Sequence, residues 1–302
     1  MNYMDACFKP DYNKAKSKSE AIFEGVNYRI TILSERLVRL EYNKDGQFFD
    51  DLTELVRNRD FDIPEFKVNQ DDKYLEITTK YFMLKYMKEK PFEGLNIEIY
   101  LLNTDKIWNV KSKEVRNFNT SGQGFILDKA DYQKGLYSVD GFVTLDDNAS
   151  MIINEDGFLT PNVENRFDKY VFMYRRDFGM CLKDYFTLTG YPPLIPRYAL
   201  GNWWNKSEIY NFMDVSNLLS KFNREDIPLA VVLLDEFWHL KDARDLDKYK
   251  TGFTFNRNLF SDPVYFTNFL HERGVKLGLN VNPTEGIMPH EDAYDMIASQ
   301  LG

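Results

Sequence analysis

The sequence predicts a mixed fold, an N-terminal antiparallel β-sandwich followed by an α/β layer of parallel strands. Three observations carry this expectation. Apolar and polar residues alternate with period two in short runs from Val26 to about Tyr174. Beyond the proline-rich TGYPPLIPRY the pattern changes to short, continuous apolar runs. Those runs are separated by segments whose apolar residues recur at helical spacing.

In the first half, VNYRITIL places Tyr28, Ile30 and Ile32 on one strand face, and RLVRLEY sets Val38, Leu40 and Tyr42 against Leu37, Arg39 and Glu41. KYLEITTKYFMLKYM, NIEIYLL and KYVFMY continue the alternation, with Asp45-Gly46, Asp71-Asp72, Asp140-Gly141 and Asp156-Gly157 as turns. Strands of this kind bury one face by packing as two antiparallel sheets. A helix is expected from about Met180 to Leu188. Three prolines within residues 192–196 then make a rigid crossing, which places the domains at 1–190 and 191–302.

In the second half Ala199–Trp204 is the expected first strand, and Ile209, Phe212, Val215, Leu219 and Phe222 share one face of the helix after it. PLAVVLL, residues 228–234, reads as a strand buried on both faces. Asp262-Pro263 opens the next helix with a cap and an N1 proline, Phe266, Phe269 and Leu270 form its apolar face, and Gly274 ends it. Val275–Val281 is the third strand, and a last helix follows. Strands that alternate with helices in this way run parallel. By pattern alone a doubly wound sheet and a barrel fit equally well.

Composition narrows the function. The 302 residues hold 47 Asp and Glu against 38 Lys and Arg, a net charge of −9, with 43% hydrophobic residues. That is a globular composition, and a negative chain without a basic cluster argues against nucleic acid as partner. Lys14, Lys16 and Lys18 form the most basic stretch and read as a solvated tail. No apolar run of membrane-spanning length and no leader-like segment occurs, so the expected location is the cytoplasm and no membrane partner is expected. Cys7 and Cys181 lack metal or disulfide spacing, and His239, His271 and His290 lack the i, i+4 pairing of a helical metal site. No metal and no cofactor is expected. Ser121-Gly122-Gln123-Gly124 lacks the spacing of a phosphate cradle, and no G-x-S-x-G elbow occurs.

Several stretches in a fixed order resemble glycoside hydrolase family 31, the α-glucosidase and α-xylosidase family. They are NYRITILSERLVRLEY, DDLTELVRNRDF, GLYSVDGFVTLDDNAS, YFTLTGYPPLIPRYALGNWW, DIPLAVVLLDEFWH and FTFNRNLFSDPVYFTNFLHERGVKLGLNVNP. The strongest parts are Leu188–Trp204 and Ile227–His239, and the resemblance covers nearly the whole chain. It implies a β-sandwich leading into a (β/α)8 barrel, here incomplete with about three strands, with the active site at the C-terminal ends of the strands. It also implies hydrolysis of α-glycosides with retention by two carboxylates. In the family the nucleophile follows the fourth barrel strand and the acid/base comes later. The expectation is therefore that this chain lacks both catalytic residues, is inactive alone, and either self-associates or associates with the rest of a barrel.

What the resemblance leaves in the chain is sugar recognition. Asp235, at the end of the PLAVVLL strand, matches the family aspartate that accepts hydrogen bonds from sugar hydroxyls, work that suits a carboxylate's two acceptor oxygens. Asp128 in GFILDKADYQKG is the best match to a substrate-contacting loop aspartate, with Asp146 and Asp147 as competitors. Trp203, Trp204 and Trp238 could stack on a sugar face or pack in the core. Phe237 stands where the family shows a second aspartate, and Asn282-Pro283 stands where Asp-Pro or His-Pro is common. The expected partner is an α-linked oligosaccharide or glycoside. The competing reading is a non-catalytic carbohydrate-binding or scaffold protein.

Overall fold

The computed structural model describes residues 10–112, 120–121, 132–133, 135–162, 166–235, 237–241 and 252–301. The chain divides into two compact units, Met1–Pro192 and Pro193–Gly302. Among the described residues no helix is long and apolar enough to cross a membrane.

The first unit is built from short strands in chain order: β1 (Ile22–Glu24), β2 (Tyr28–Ser34), β3 (Leu37–Tyr42), β4 (Lys67–Gln70), β5 (Tyr74–Thr78), β6 (Phe82–Met87), β7 (Ile97–Leu101) and β8 (Ile107–Trp108). Then come β9 (Thr120–Ser121), β10 (Tyr132–Gln133), β11 (Phe142–Asp146), β12 (Ile152–Ile153), β13 (Leu159–Thr160) and β14 (Phe167–Met173), followed by helix α1 (Phe178–Thr189). Two five-stranded antiparallel sheets result, β1-β2-β3-β14-β11 and β4-β5-β6-β7-β8. Tyr28, Ile30, Ile32, Val38 and Leu40 of the first sheet share one core with Leu75, Ile77, Phe82, Leu84, Tyr86, Ile97 and Ile99 of the second. Period-two alternation thus delivers one apolar face from each sheet to a common interior. Tyr86 sits at its centre, edge-on to Tyr28 at 4.7 Å and to Phe92 at 5.0 Å.

The other face of the first sheet is shielded from solvent as well, although it carries charge. Arg29, Thr31, Arg39 and Glu41 are all buried, as are Asp168 and Tyr170 of β14 and Arg59 and Asp147 nearby. Register explains how charge is tolerated there. Asp168 lies opposite Glu41, and Tyr170 lies opposite Arg39. Two carboxylates directly across a strand pair repel, so cations on adjacent positions must neutralise them, Arg39 on the diagonal of Asp168 and Arg29 opposite Glu41 on β2. Arg39 binds Asp168 through Nε at 2.9 Å and Nη2 at 2.7 Å, Arg29 holds Glu41 through two bonds of 2.7 and 2.8 Å, and Arg166 also donates to Asp168. Arg59 donates to the Tyr170 hydroxyl at 2.7 Å and to the carbonyls of Ala15 and Asp51. Asp147 accepts from Thr53 at 2.9 Å and lies 3.8 Å from Arg59.

Beside this network Leu33, Leu37, Val56, Val143, Phe172 and Tyr174 pack with Cys181 and Leu188 of α1. Asp177 caps α1 through the amide of Met180 at 3.3 Å, and Gly190 ends it at φ +90°, a conformation that favours glycine.

The second unit contains β15 (Trp203–Lys206), α2 (Phe212–Arg224), β16 (Val231–Leu234), α3 (Pro263–His271), β17 (Lys276–Leu279) and α4 (Tyr294–Leu301). The strands form one sheet in the order β15-β16-β17, parallel throughout. Val215 and Leu219 of α2 and Phe266 and Leu270 of α3 pack with Val232, Leu234, Phe260 and Val275. Both helices start as their sequences dictate. Asn211 and Asp214 make a reciprocal capping box with two 3.0 Å bonds, and Asp262 accepts from the Tyr265 amide at 2.9 Å with Pro263 at N1.

Two expectations need correction. The first strand starts at Trp203 rather than Ala199, because Arg197–Leu200 closes into a 3-10 turn. Gly201 then lets the chain approach the next strand, where a Cβ would fall 2.5 Å from that of Ala230. Ile209 is 64% exposed and lies ahead of the helix it was expected to join. Among the described residues no fourth strand pairs with β15 or β17, so the parallel sheet is open.

The buried ionic face gives a test of stability. Burial pushes the Asp168 carboxyl up, but Arg39, bonded to it, outweighs burial and holds it well below the usual range. Burial raises Glu41 and Asp147, with the charge of Asp168 adding to both. A lowered carboxyl contributes stability that is complete above its unfolded value of about 4 and is lost as pH falls through the folded value. The raised pair acts in the opposite sense, and its cost is relieved as pH falls through the raised values toward about 4. Stability should therefore hold or rise from neutral pH to about 5 and fall steeply below about 4. Asp168→Asn should cost about 3 kcal/mol in urea unfolding, because Arg39 keeps its charge and loses its closest partner. A loss under about 1 kcal/mol would refute the assigned role.

Candidate functional site

The C-terminal end of the parallel sheet gathers the polar groups of the second unit. Leu234 and Leu279 are register partners at the ends of β16 and β17, so the next residues on each strand, Asp235 and Asn280, emerge side by side. The Asn280 amide Nδ2 donates to Asp235 Oδ1 at 2.7 Å, and its backbone N–H donates to the Leu234 carbonyl at 2.9 Å. Trp238 completes the arrangement. Its N–H donates to the Asp235 carbonyl at 3.2 Å and its indole Nε1 donates to the Asn280 carbonyl at 2.9 Å. Asn280 is thus held at both backbone groups while its side chain orients the half-buried Asp235.

The loop that carries Trp238 is itself fastened. Leu240 donates to the Thr254 carbonyl at 2.8 Å, Asn256 donates to the Trp238 carbonyl at 2.9 Å, and His239 bridges to Phe255. Gly252 permits the approach, since a Cβ there would lie 2.0 Å from the His239 ring. Trp238 packs edge-on against Phe255 at 4.8 Å. The buried Glu291 carboxylate takes the Phe253 amide at 2.9 and 3.2 Å, which ties the same loop to the segment before α4.

The expected site residues fall into separate groups. Asp235 stands at the C-terminal end of the sheet. Trp238 is beside it but only 3% exposed, so its ring faces are packed and its part is to hold Asn280 rather than to stack on sugar. Trp203 is 46% exposed but lies at the opposite end, where it pairs with Val231, three positions before Leu234 on the adjacent strand. Its indole donates to the Ala199 carbonyl at 3.1 Å. At about 3.3 Å per residue this puts Trp203 about 10 Å from the Asp235 end. Trp204 is half-buried, edge-on to Phe222 at 5.6 Å.

Asp128 lies outside the described residues, as do Cys7 and Gly122–Gly124. Its competitors are committed elsewhere. Asp146 pairs with Lys169 at 2.8 Å, and Asp147 belongs to the buried ionic face. Phe237 carries the Lys241 ammonium 4.7 Å above its ring, a cation–π contact where a carboxylate was looked for. Asn282 caps its own turn through the amide and hydroxyl of Thr284. Asn280 escaped sequence reasoning altogether. Only the register of β16 and β17 brings it to Asp235, and no spacing motif encodes that.

A carboxylate fixed by a side-chain amide at a strand end is suited to receive hydroxyl hydrogens. Residues 192–300 match the model described as the glycosyl hydrolases family 31 TIM-barrel domain. The α-xylosidase of Saccharolobus solfataricus is 30% identical over 123 residues, 40% of this chain and 16% of that protein. Among solved structures, a family 31 α-xylosidase from a soil metagenome, complexed with xylose, superposes with a TM-score of 0.61 at 14% identity, covering 92% of this chain and 48% of that one. A mutant dextranase of Flavobacterium johnsoniae, complexed with isomaltotriose, gives a TM-score of 0.56 at 17% identity, with 87% and 37% covered. At these identities the structural likeness is one of fold. The chain spans about half the length of the solved xylosidase, and the segment aligned with the Saccharolobus enzyme is a sixth or less of that protein.

The clamp on Asn280 predicts a graded response at Trp238. Trp238→Phe keeps most of the packing and loses the indole donor, and should cost about 1 kcal/mol. Trp238→Ala should cost about 3–5 kcal/mol by opening a cavity against Phe255. Chemical unfolding would measure both, and an alanine variant as stable as the parent would refute the placement.

Proposed function

We propose, from the match of residues 192–300 to the family 31 TIM-barrel domain, that residues 1–302 supply the sandwich and sugar-recognition portion of a retaining α-glycosidase of that family. In this reading the second unit is the start of a (β/α)8 barrel, and Asp235 receives sugar hydroxyls at its mouth. The single observation that carries the reading is Asp235 at the C-terminal end of a parallel strand, oriented by Asn280. Barrel enzymes place their chemistry at that end.

The ligand proposed is an α-linked oligosaccharide or glycoside. Support comes from the xylose and isomaltotriose in the structurally similar proteins. Retention requires two carboxylates about 5–5.5 Å apart. We propose that neither comes from these 302 residues, since the described part of the second unit holds three parallel strands of the eight such a barrel needs. The open edges of β15 and β17 would then be covered by further strands or by another copy of the chain, as exposed edges generally are.

Two measurements test this. The purified 302-residue chain should show no turnover of aryl α-glucoside or α-xyloside, and turnover would refute the assignment of the carboxylates elsewhere. Binding of xylose or glucose, followed by calorimetry, should weaken about tenfold to a hundredfold in Asp235→Ala, the worth of a hydrogen bond to a charged group. Unchanged affinity would remove Asp235 from the site.

A further inference from the structure

A hollow of about 490 Å³ lies where α2 and α3 begin, within the roughly 300–1,000 Å³ range typical of small-ligand sites. Asn211, Phe212 and Met213 line it from the start of α2, Asn258 from the loop before α3, and Asp262 and Tyr265 from the start of α3. Phe212 and Tyr265 form one aromatic wall, with ring centroids 5.8 Å apart and planes tilted by 36°. Tyr265 is 59% exposed and Met213 61% exposed, so an apolar surface faces solvent at the lip of a hollow of mixed polar and apolar lining.

The charge of the hollow selects its ligand. No Lys, Arg or His lines it. The positive ends of both helices are already met by the chain itself, α2 through Asn211 and Asp214 and α3 through Asp262. An anion would meet a carboxylate and no cation. A neutral polyhydroxylated molecule meets what it needs: an aromatic face for its C–H side, and amide and carboxylate groups for its hydroxyls.

Topology places the hollow with respect to Asp235. β15 and β16 run in the same direction, toward the end that carries Asp235, and the chain turns back there to enter α2 and then α3. The starts of both helices therefore lie at the same end of the sheet as Asp235. We propose that this hollow is an accessory binding site for a neutral oligosaccharide, with Tyr265 as its stacking residue. Only the choice of an oligosaccharide among neutral polyhydroxylated ligands rests on the glycosidase reading. The geometry stands apart from Asp235.

The test uses a resonance inside the hollow. The full chain, labelled with ¹³C in its methionine methyl groups, is titrated with isomaltotriose and with maltotriose at millimolar concentration, and Met213 is assigned with Met213→Leu. The Met213 methyl should shift saturably with at least one of the two sugars. Tyr265→Ala should weaken that response about tenfold, and Tyr265→Phe, which keeps the ring face, should retain it. A Met213 methyl that neither sugar moves overturns the proposal, even where sugar binds at Asp235. A shift undiminished in Tyr265→Ala overturns it too, and so does tighter binding of glucose 6-phosphate than of the neutral sugars. A saturable, Tyr265-dependent shift supports it even where Asp235→Ala fails its own test.

Discussion

Arg39 and Asp168 meet on a sheet whose central strands, β2, β3 and β14, are buried on both faces. One face of that sheet is apolar and packs on its neighbour, and the other is ionic and lies beneath the segment from Phe48 to Arg59. Charges out of water are tolerated only when each finds a partner of good geometry. Here three arginines of the sheet strands and their flanks, with Arg59 from the covering segment, answer Glu41, Asp50, Asp147 and Asp168. Because the pairs join β2, β3, β14 and the covering segment, the network fixes strand register as well as neutralising charge. A one-residue slip of β14 would remove Asp168 from Arg39 and also turn Val171 out of the core.

The second unit uses register differently. Its parallel sheet is held by apolar packing against α2 and α3, and polar groups collect where the strands end. Asp235 is positioned by a neighbour on the next strand, and that neighbour is in turn held by Trp238. The indole therefore influences the carboxylate without touching it. Such support from behind lets a surface carboxylate keep one orientation. It also explains why an aromatic residue next to a strand-end carboxylate need not be a stacking residue.

Much of the fold was legible in the sequence because periodicity is a local property. Tyr28, Ile30 and Ile32 share a face for the same reason in any sheet, and the cap at Asp262-Pro263 starts a helix whatever surrounds it. The point where β15 begins was less legible, since the turn at Arg197–Leu200 and the close approach at Gly201 depend on the strand lying beside them. The burial of Arg39 and Glu41 was also out of reach. Alternation marks a polar face, but whether another segment covers that face is a long-range matter.

Local residue patterns set the two grammars of the chain, the order of its elements and the aspartate at the end of the central parallel strand. Each of these follows from residues within a few positions of one another. The tertiary structure decided which residues share a site. It joined Asn280 to Asp235 across 45 positions, sent Trp203 to the far end of the sheet and gave Asp147 to a buried ion network. Strand register and burial are properties of pairs of distant segments, so no single segment encodes them.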